Sequence, residues 1–168
     1  GLSGLPTCDI VEVGIVDERG ETVFHSLCKP GHPIPGAATA IHGITDAMVA
    51  QSPSSDIVRQ QVLELVRGHD LVIYNSNYDC QYFPGISKET RSIQCCMEHF
   101  AEWNGDWDDR RDQWRWQRLT VAAGIAGCFE PGAHRAVPDA RMCAGVWAFL
   151  QGQRGMARND ETDCAVLG

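Results

Sequence analysis

Short apolar runs broken by polar turns occupy the first half of the chain, and helically spaced ones the second. Residues 10–16 (IVEVGIV) are β-rich and partly alternating, Asp17-Glu18-Arg19-Gly20 is a turn signal, and residues 22–27 follow as a second strand. Together they predict a hairpin. Glycines and prolines in GHPIPGAATAIHGIT forbid long regular structure until about Ala37. Short helical turns are expected from Ala37 and from Thr45, where Thr can cap and Asp46 suits the helix dipole. Ser54 or Ser55 caps a firmer helix with Ile57, Val58, Val62, Leu65 and Val66 on one face and Gly68 as its stop. Residues 71–74 (LVIY) form a continuous apolar run, the pattern of a strand buried on both faces. Helices are expected over 93–103, 116–126 and 138–150. From residue 151 the composition turns polar and Gly-rich, which predicts one domain over residues 1–150 and a weakly ordered tail over 151–168.

Three candidate chemical groups lie at element edges. The buried strand ends in Asn75-Ser76-Asn77-Tyr78-Asp79, a polar segment where open α/β sheets place ligand sites. In HRAVPDA, residues 134–140, Pro138 suits the first helical position, so Asp139 falls in the first turn and His134 on the loop before it. A loop histidine beside a fixed carboxylate can trade a proton near neutral pH while the carboxylate holds a cation. Plainer roles stay open: Asp139 as a dipole-matching residue and Asp79 as a helix N-cap.

The full sequence has 168 residues, of which 43% are hydrophobic and 21% charged, with eight cysteines and a net charge of −8. That composition suits a soluble globule with a core of its own. No apolar run reaches about 18 residues, so no membrane span is expected. The cysteines lack paired metal-ligand spacing and read as free thiols, which predicts a reducing, cytoplasmic setting. The negative charge argues against holding nucleic acid by bulk electrostatics, although bound divalent cations would invert the local sign at an acidic site.

The motifs IVEVGIVDERG, KPGHPIPGAATAIHGITDAMV, LVIYNSNYD and HRAVPDA occur in an order and spacing that resembles the DEDDh branch of the 3′–5′ exonucleases, over residues 1–150. This is the family of the epsilon proofreading subunit of bacterial DNA polymerase III. The segment from Glu98 to Thr120 is also similar to stand-alone members. The resemblance implies an α/β fold, a ribonuclease-H-like mixed sheet flanked by helices. It implies hydrolysis of phosphodiester bonds, in DNA more than RNA, by two divalent cations, Mg²⁺ or Mn²⁺. His134 would then be the general base, with Asp79 and Asp139 as metal ligands. His42, Gly43 and Ile44 would meet the 3′-terminal nucleotide, Ile44 as an apolar wedge, and His42 or Asn75 would contact sugar or phosphate. The alternative for these is a satisfied histidine, a loop glycine and a core isoleucine.

The family's first motif, a strand ending in Asp-x-Glu-Thr, would lie immediately before Gly1-Leu2, and the chain opens just after it. Two expectations follow. Metal affinity and turnover should be reduced, leaving a second reading as an impaired family member that serves as a nucleic-acid-binding or protein-interaction module. The sheet should lack its first central strand, with the slot rebuilt or filled by a partner or a second copy of the chain. Asp9 and Glu12 fall on the next strand and are assigned no role.

Arg135 and Arg141 flank the proposed site, and both are expected to meet phosphate. The link NGDWDDRRDQWRW could stack bases and bind a single strand, but is better read as a helix connection whose tryptophans cover the core while its arginines pair with Asp106, Asp108, Asp109 and Asp112.

Overall fold

The computed structural model describes residues 9–153 and 164–168. Strand β1 (Glu12–Val16) turns back into β2 (Thr22–Leu27). The turn closes because the Asp17 carboxylate accepts the N–H groups of Arg19 and Glu21, while Gly20 supplies the positive φ. Helices α1 (Gly36–His42) and α2 (Asp46–Val49) follow, α2 capped by Thr45, whose side chain accepts from the Met48 N–H. Helix α3 (Ser55–Val66) is capped by Ser54 in the same way. Strand β3 (Asp70–Ile73), α4 (Ser76–Asp79), a 3-10 turn over Cys80–Tyr82 and α5 (Ile86–Glu89) lead to β4 (Ser92–Cys95) and α6 (Cys96–Asn104). A small hairpin, β5 (Trp107–Asp108) and β6 (Gln113–Trp114), precedes α7 (Leu119–Ala126) and the long α8 (Ala136–Gln153). The last described element is β7 (Cys164–Leu167).

The main sheet has the order β2-β1-β7-β3-β4. Strand β7 is antiparallel to β1, with Ile15 opposite Leu167, and parallel to β3, with Ile73 opposite Leu167. The central slot is therefore filled, as the rebuilt-sheet alternative expected, by residues 164–167 of this chain rather than by a partner. Part of the expected tail is thus the middle of the sheet: α8 runs to Gln153 and residues 164–167 form a buried strand, while residues 154–163 lie outside the described residues. CAVL is too short to declare itself by periodicity, but Val166 and Leu167 are both buried, on opposite faces. Each contributes about 1.5–3 kcal/mol of apolar burial.

One face of the sheet packs Val16, Val72 and Val166 against Phe100 of α6, Ala122 and Ala123 of α7, and Met142, Val146 and Leu150 of α8. The other packs Val13, Ile15, Leu71, Ile73 and Leu167 against Val58, Val62 and Val66 of α3. The buried stripe of α3 is narrower than predicted, since Ile57 and Leu65 are exposed. Three boundaries also shift. Residues 93–95 belong to β4 instead of a helix, because pairing Leu71, Val72 and Ile73 with Ile93, Gln94 and Cys95 outweighs their place before a helical run. Helix α7 starts at Leu119, and α8 starts at Ala136, two residues before Pro138. Proline fits there because the first-turn N–H groups have no intrahelical acceptor.

Close approach fixes where α8 begins. A Cβ on Gly14 would lie 2.9 Å from the Ala136 carbonyl carbon and the Val137 nitrogen, and one on Gly168 only 2.2 Å from Ala136 O and Ala140 N. Both positions press the sheet against the first turn of α8, which leaves no room for a side chain.

Candidate active site

Asp79, His134 and Asp139, separated by up to 60 positions, line one cavity of about 390 Å³ at the C-terminal ends of β3 and β7. Tyr74, just past β3, is anchored by its hydroxyl, which donates to Gln117 O at 2.7 Å, and by its carbonyl, which accepts the Met97 N–H at 2.9 Å. From that fixed point the single turn of α4 carries Asp79 into the cavity. Asp79 makes no side-chain cap bond, so the N-cap alternative does not hold. Burial, then the charge of Asp139, push its carboxyl up to about 6. No cationic side chain meets it among the described residues.

Asp139 sits in the first turn of α8, as predicted, and its Oδ1 accepts the backbone N–H of His134 at 3.0 Å. Burial raises its carboxyl and the nearby Glu12 adds to the effect, while the His134 N–H and imidazole partly offset it. His134 itself is exposed at the cavity rim with φ 73°, a left-handed conformation unusual for a side-chain-bearing residue. The carboxylate of Asp139 holds that strained peptide in place.

His42, at the end of α1, lines the cavity, and its Nδ1 accepts the Ile44 N–H at 3.0 Å. That bond places the ring proton on Nε2. Burial keeps this imidazole below its usual range, favouring the neutral form. Gly43 closes α1 in a left-handed cap. Ile44 lines the cavity but is only 1% exposed and packs with Ile34 and Val49, so the core reading wins over the wedge. The apolar groups that project instead are Ile41, 63% exposed, and Tyr78, 56% exposed and set edge-on against Tyr82, both of which line the cavity. Neither was singled out from the sequence, although both flank residues that were. Asn75 precedes α4 and is not among the residues that line the cavity.

Arg135 departs most from expectation. Its guanidinium forms a two-pronged pair with Glu12, Nε to Oε2 at 2.8 Å and Nη2 to Oε1 at 3.2 Å, and does not line the cavity. Arg141 is likewise paired, with Glu130. Glu12 was passed over in the sequence. Burial pushes its carboxyl up, but bonds from Arg135, His25 (2.9 Å) and the Ala136 N–H outweigh that and hold it below the usual carboxylate range. The overlooked signal was its phase in β1, where it shares a face with Gly14 beneath α8. An acidic residue at such a position requires a partner.

Among the described residues no group of three or more His, Cys, Asp or Glu is arranged to hold a metal ion. Asp79 and Asp139 nevertheless line one cavity with both carboxyls raised, a pair that would fit one side of a divalent cation. A hard cation takes about six oxygens, so the remaining donors would be water and substrate phosphate. The Trp-rich link follows the plainer reading only in part, since Trp107, Trp114 and Trp116 are exposed. Trp103 packs on Phe100 and Phe149, and Arg115 pairs with Asp106 and Asp108. Trp107 and Trp114 stack on each other across the small hairpin, yet stay partly exposed.

The chain is similar to known proteins. A family model described as Exonuclease matches residues 7–147. The chain is 36% identical over 152 residues to the uncharacterized exonuclease CP81 of Escherichia phage 186, covering 82% of this chain and 77% of that protein. It is 35% identical over 96 residues to the DNA polymerase III subunit epsilon of Pasteurella multocida, covering 52% of this chain and 38% of that one. A solved structure, exonuclease X in complex with 5′ overhanging duplex DNA, superposes with a TM-score of 0.66 at 23% identity, over 97% of this chain and 92% of that chain. The ribonuclease-H-like α/β sheet is therefore shared with a known nuclease, and the chain belongs to the exonuclease family.

Proposed function

We propose that this chain removes nucleotides from the 3′ ends of nucleic acid, single-stranded or 3′-terminal DNA before RNA, by metal-assisted hydrolysis. The observation that carries this reading is the meeting of Asp79, Asp139 and His134 in one cavity, with both carboxyls pushed up by burial and then by a neighbouring carboxylate. Asp79 and Asp139 would hold Mg²⁺ or Mn²⁺, and the bound cation would stabilise charge developing on the phosphoryl oxygens. His134 takes the proton from the attacking water. His42 donates its Nε2–H to a sugar or phosphate oxygen of the terminal nucleotide. Ile41 and Tyr78 give the base an apolar wall, which replaces the role first assigned to Ile44.

The test is shortening of a 5′-labelled single-stranded DNA in Mn²⁺. Wild type should produce a ladder, and His134→Ala should slow it by about 100-fold or more, the scale of general-base catalysis. An unchanged rate in His134→Ala would sink the mechanism. A second reading is favoured by one observation: among the described residues only two of the carboxylates that line the cavity, Asp79 and Asp139, lack an arginine or lysine partner, because Glu12 is committed to Arg135 and Asp9 to Arg59. On that reading the chain is an impaired member that binds nucleic acid without cutting it. Binding that is indifferent to EDTA, with no ladder, supports it.

A further inference from the structure

We infer that Glu12 is a positioning residue for His134, acting through Arg135 and the Ala136 peptide; this rests on the hydrolytic reading above. His134 stands between two carboxylates that hold the backbone on either side. Asp139 accepts its own N–H at 3.0 Å. Glu12, across the gap to β1, accepts the guanidinium of the next residue and the N–H of the one after, at 3.4 Å. A left-handed φ of 73° costs a non-glycine residue of order 1 kcal/mol and persists only where its surroundings over-determine it. Glu12 supplies that surrounding on the C-terminal side.

The clamp is itself rigid. The side chain of Glu12 is 6% exposed and fixed by a third partner, His25 on β2. Gly14, two residues along the same strand face, lets β1 approach the α8 start too closely for any side chain. A two-pronged carboxylate–guanidinium pair fixes direction as well as distance. Loss of either prong frees the 134–136 loop to relax toward ordinary φ and carries the imidazole off the cavity rim. Although Glu12 lines the cavity, its oxygens are committed to Arg135, His25 and the Ala136 N–H, so its effect falls on the turnover step and not on substrate binding.

The test is a double-mutant cycle. Glu12→Gln keeps the shape but loses the charge-assisted pair, and should lower kcat on 5′-labelled DNA by about 10-fold with KM unchanged. In a His134→Ala background the same substitution should cost less than twofold, because there is no imidazole left to place. An equal loss in both backgrounds, or a kcat within twofold of wild type, overturns the proposal. Should Glu12→Ala fail to fold, Glu12→Gln still decides. If wild type cuts nothing, the hydrolytic reading fails separately, and hydrogen exchange at the His134 amide decides the clamp. Exchange about 10-fold faster in Glu12→Gln supports it, and an unchanged rate overturns it.

Discussion

Two pairs of carboxylates line the same cavity and are treated in opposite ways by the fold. Asp9 and Glu12, at and before β1, are each matched to an arginine. Asp9 meets Arg59 and the Ser55 hydroxyl, Glu12 meets Arg135, and both carboxyls are held low despite burial. Asp79 and Asp139 meet no arginine or lysine among the described residues, and both are raised. The first pair contributes to folding. The second costs folding energy, and on the proposed reading that cost is offset by a cation, a contrast expected between functional and structural carboxylates in one pocket.

The contrast can be broken from either side. The largest effect is expected from Arg59→Ala, which strands a mostly buried Asp9 carboxylate and should lower unfolding free energy by about 3 kcal/mol in urea titrations. A loss under about 1 kcal/mol would make Asp9 an ordinary surface charge. Asp79→Asn should do the reverse. Removing the repelled charge should raise stability by about 1–2 kcal/mol at pH 7.5, after allowing for partial solvent access, while the DNA ladder is lost. Destabilisation would show that Asp79 is structural.

Divalent cation should then separate the pairs. In a thermal melt, Mn²⁺ at about ten times its Kd should stabilise wild type by about 1.4 kcal/mol and leave Asp79→Asn unmoved. Equal shifts would place the cation elsewhere. The smallest and broadest effect concerns pH in EDTA. The raised Asp79 carboxyl favours the fold below its unfolded value near 4, and that advantage is lost as pH rises through about 6. Lowered Asp9 and Glu12 favour the fold above about 4.5, and lose it as pH falls through their folded values. Urea midpoints should therefore be highest near pH 5 and fall on both sides. A monotonic rise from pH 5 to 8 would contradict the raised value of Asp79.

Local signals were read well where the responsible interaction is itself local. The β1–β2 hairpin follows from its turn aspartate and glycine, α2 and α3 from Thr45 and Ser54, and the place of Asp139 from the first turn of α8. What was misread depended on partners far along the chain. Residues 93–95 became a strand because β3 lay beside them, Ile57 and Leu65 became exposed because α3 meets the sheet along a narrow line, and Ile44 was buried by Ile34 and Val49. Arg135 looked like a phosphate ligand only because Glu12, 123 positions away, could not be seen from its own neighbourhood.

By itself, then, the sequence determined the β1–β2 hairpin, the capped helices, the family and the places of His134, Asp139 and Asp79 at element edges, since turn chemistry, caps and motif spacing act over a few residues. Tertiary structure decided that residues 164–167 occupy the centre of the sheet, between β1 and β3. It also decided which carboxylates are neutralised and which are left bare. Both outcomes turn on pairing across the whole chain, where buried hydrogen-bond donors and charges take whatever partner the packed fold brings to them.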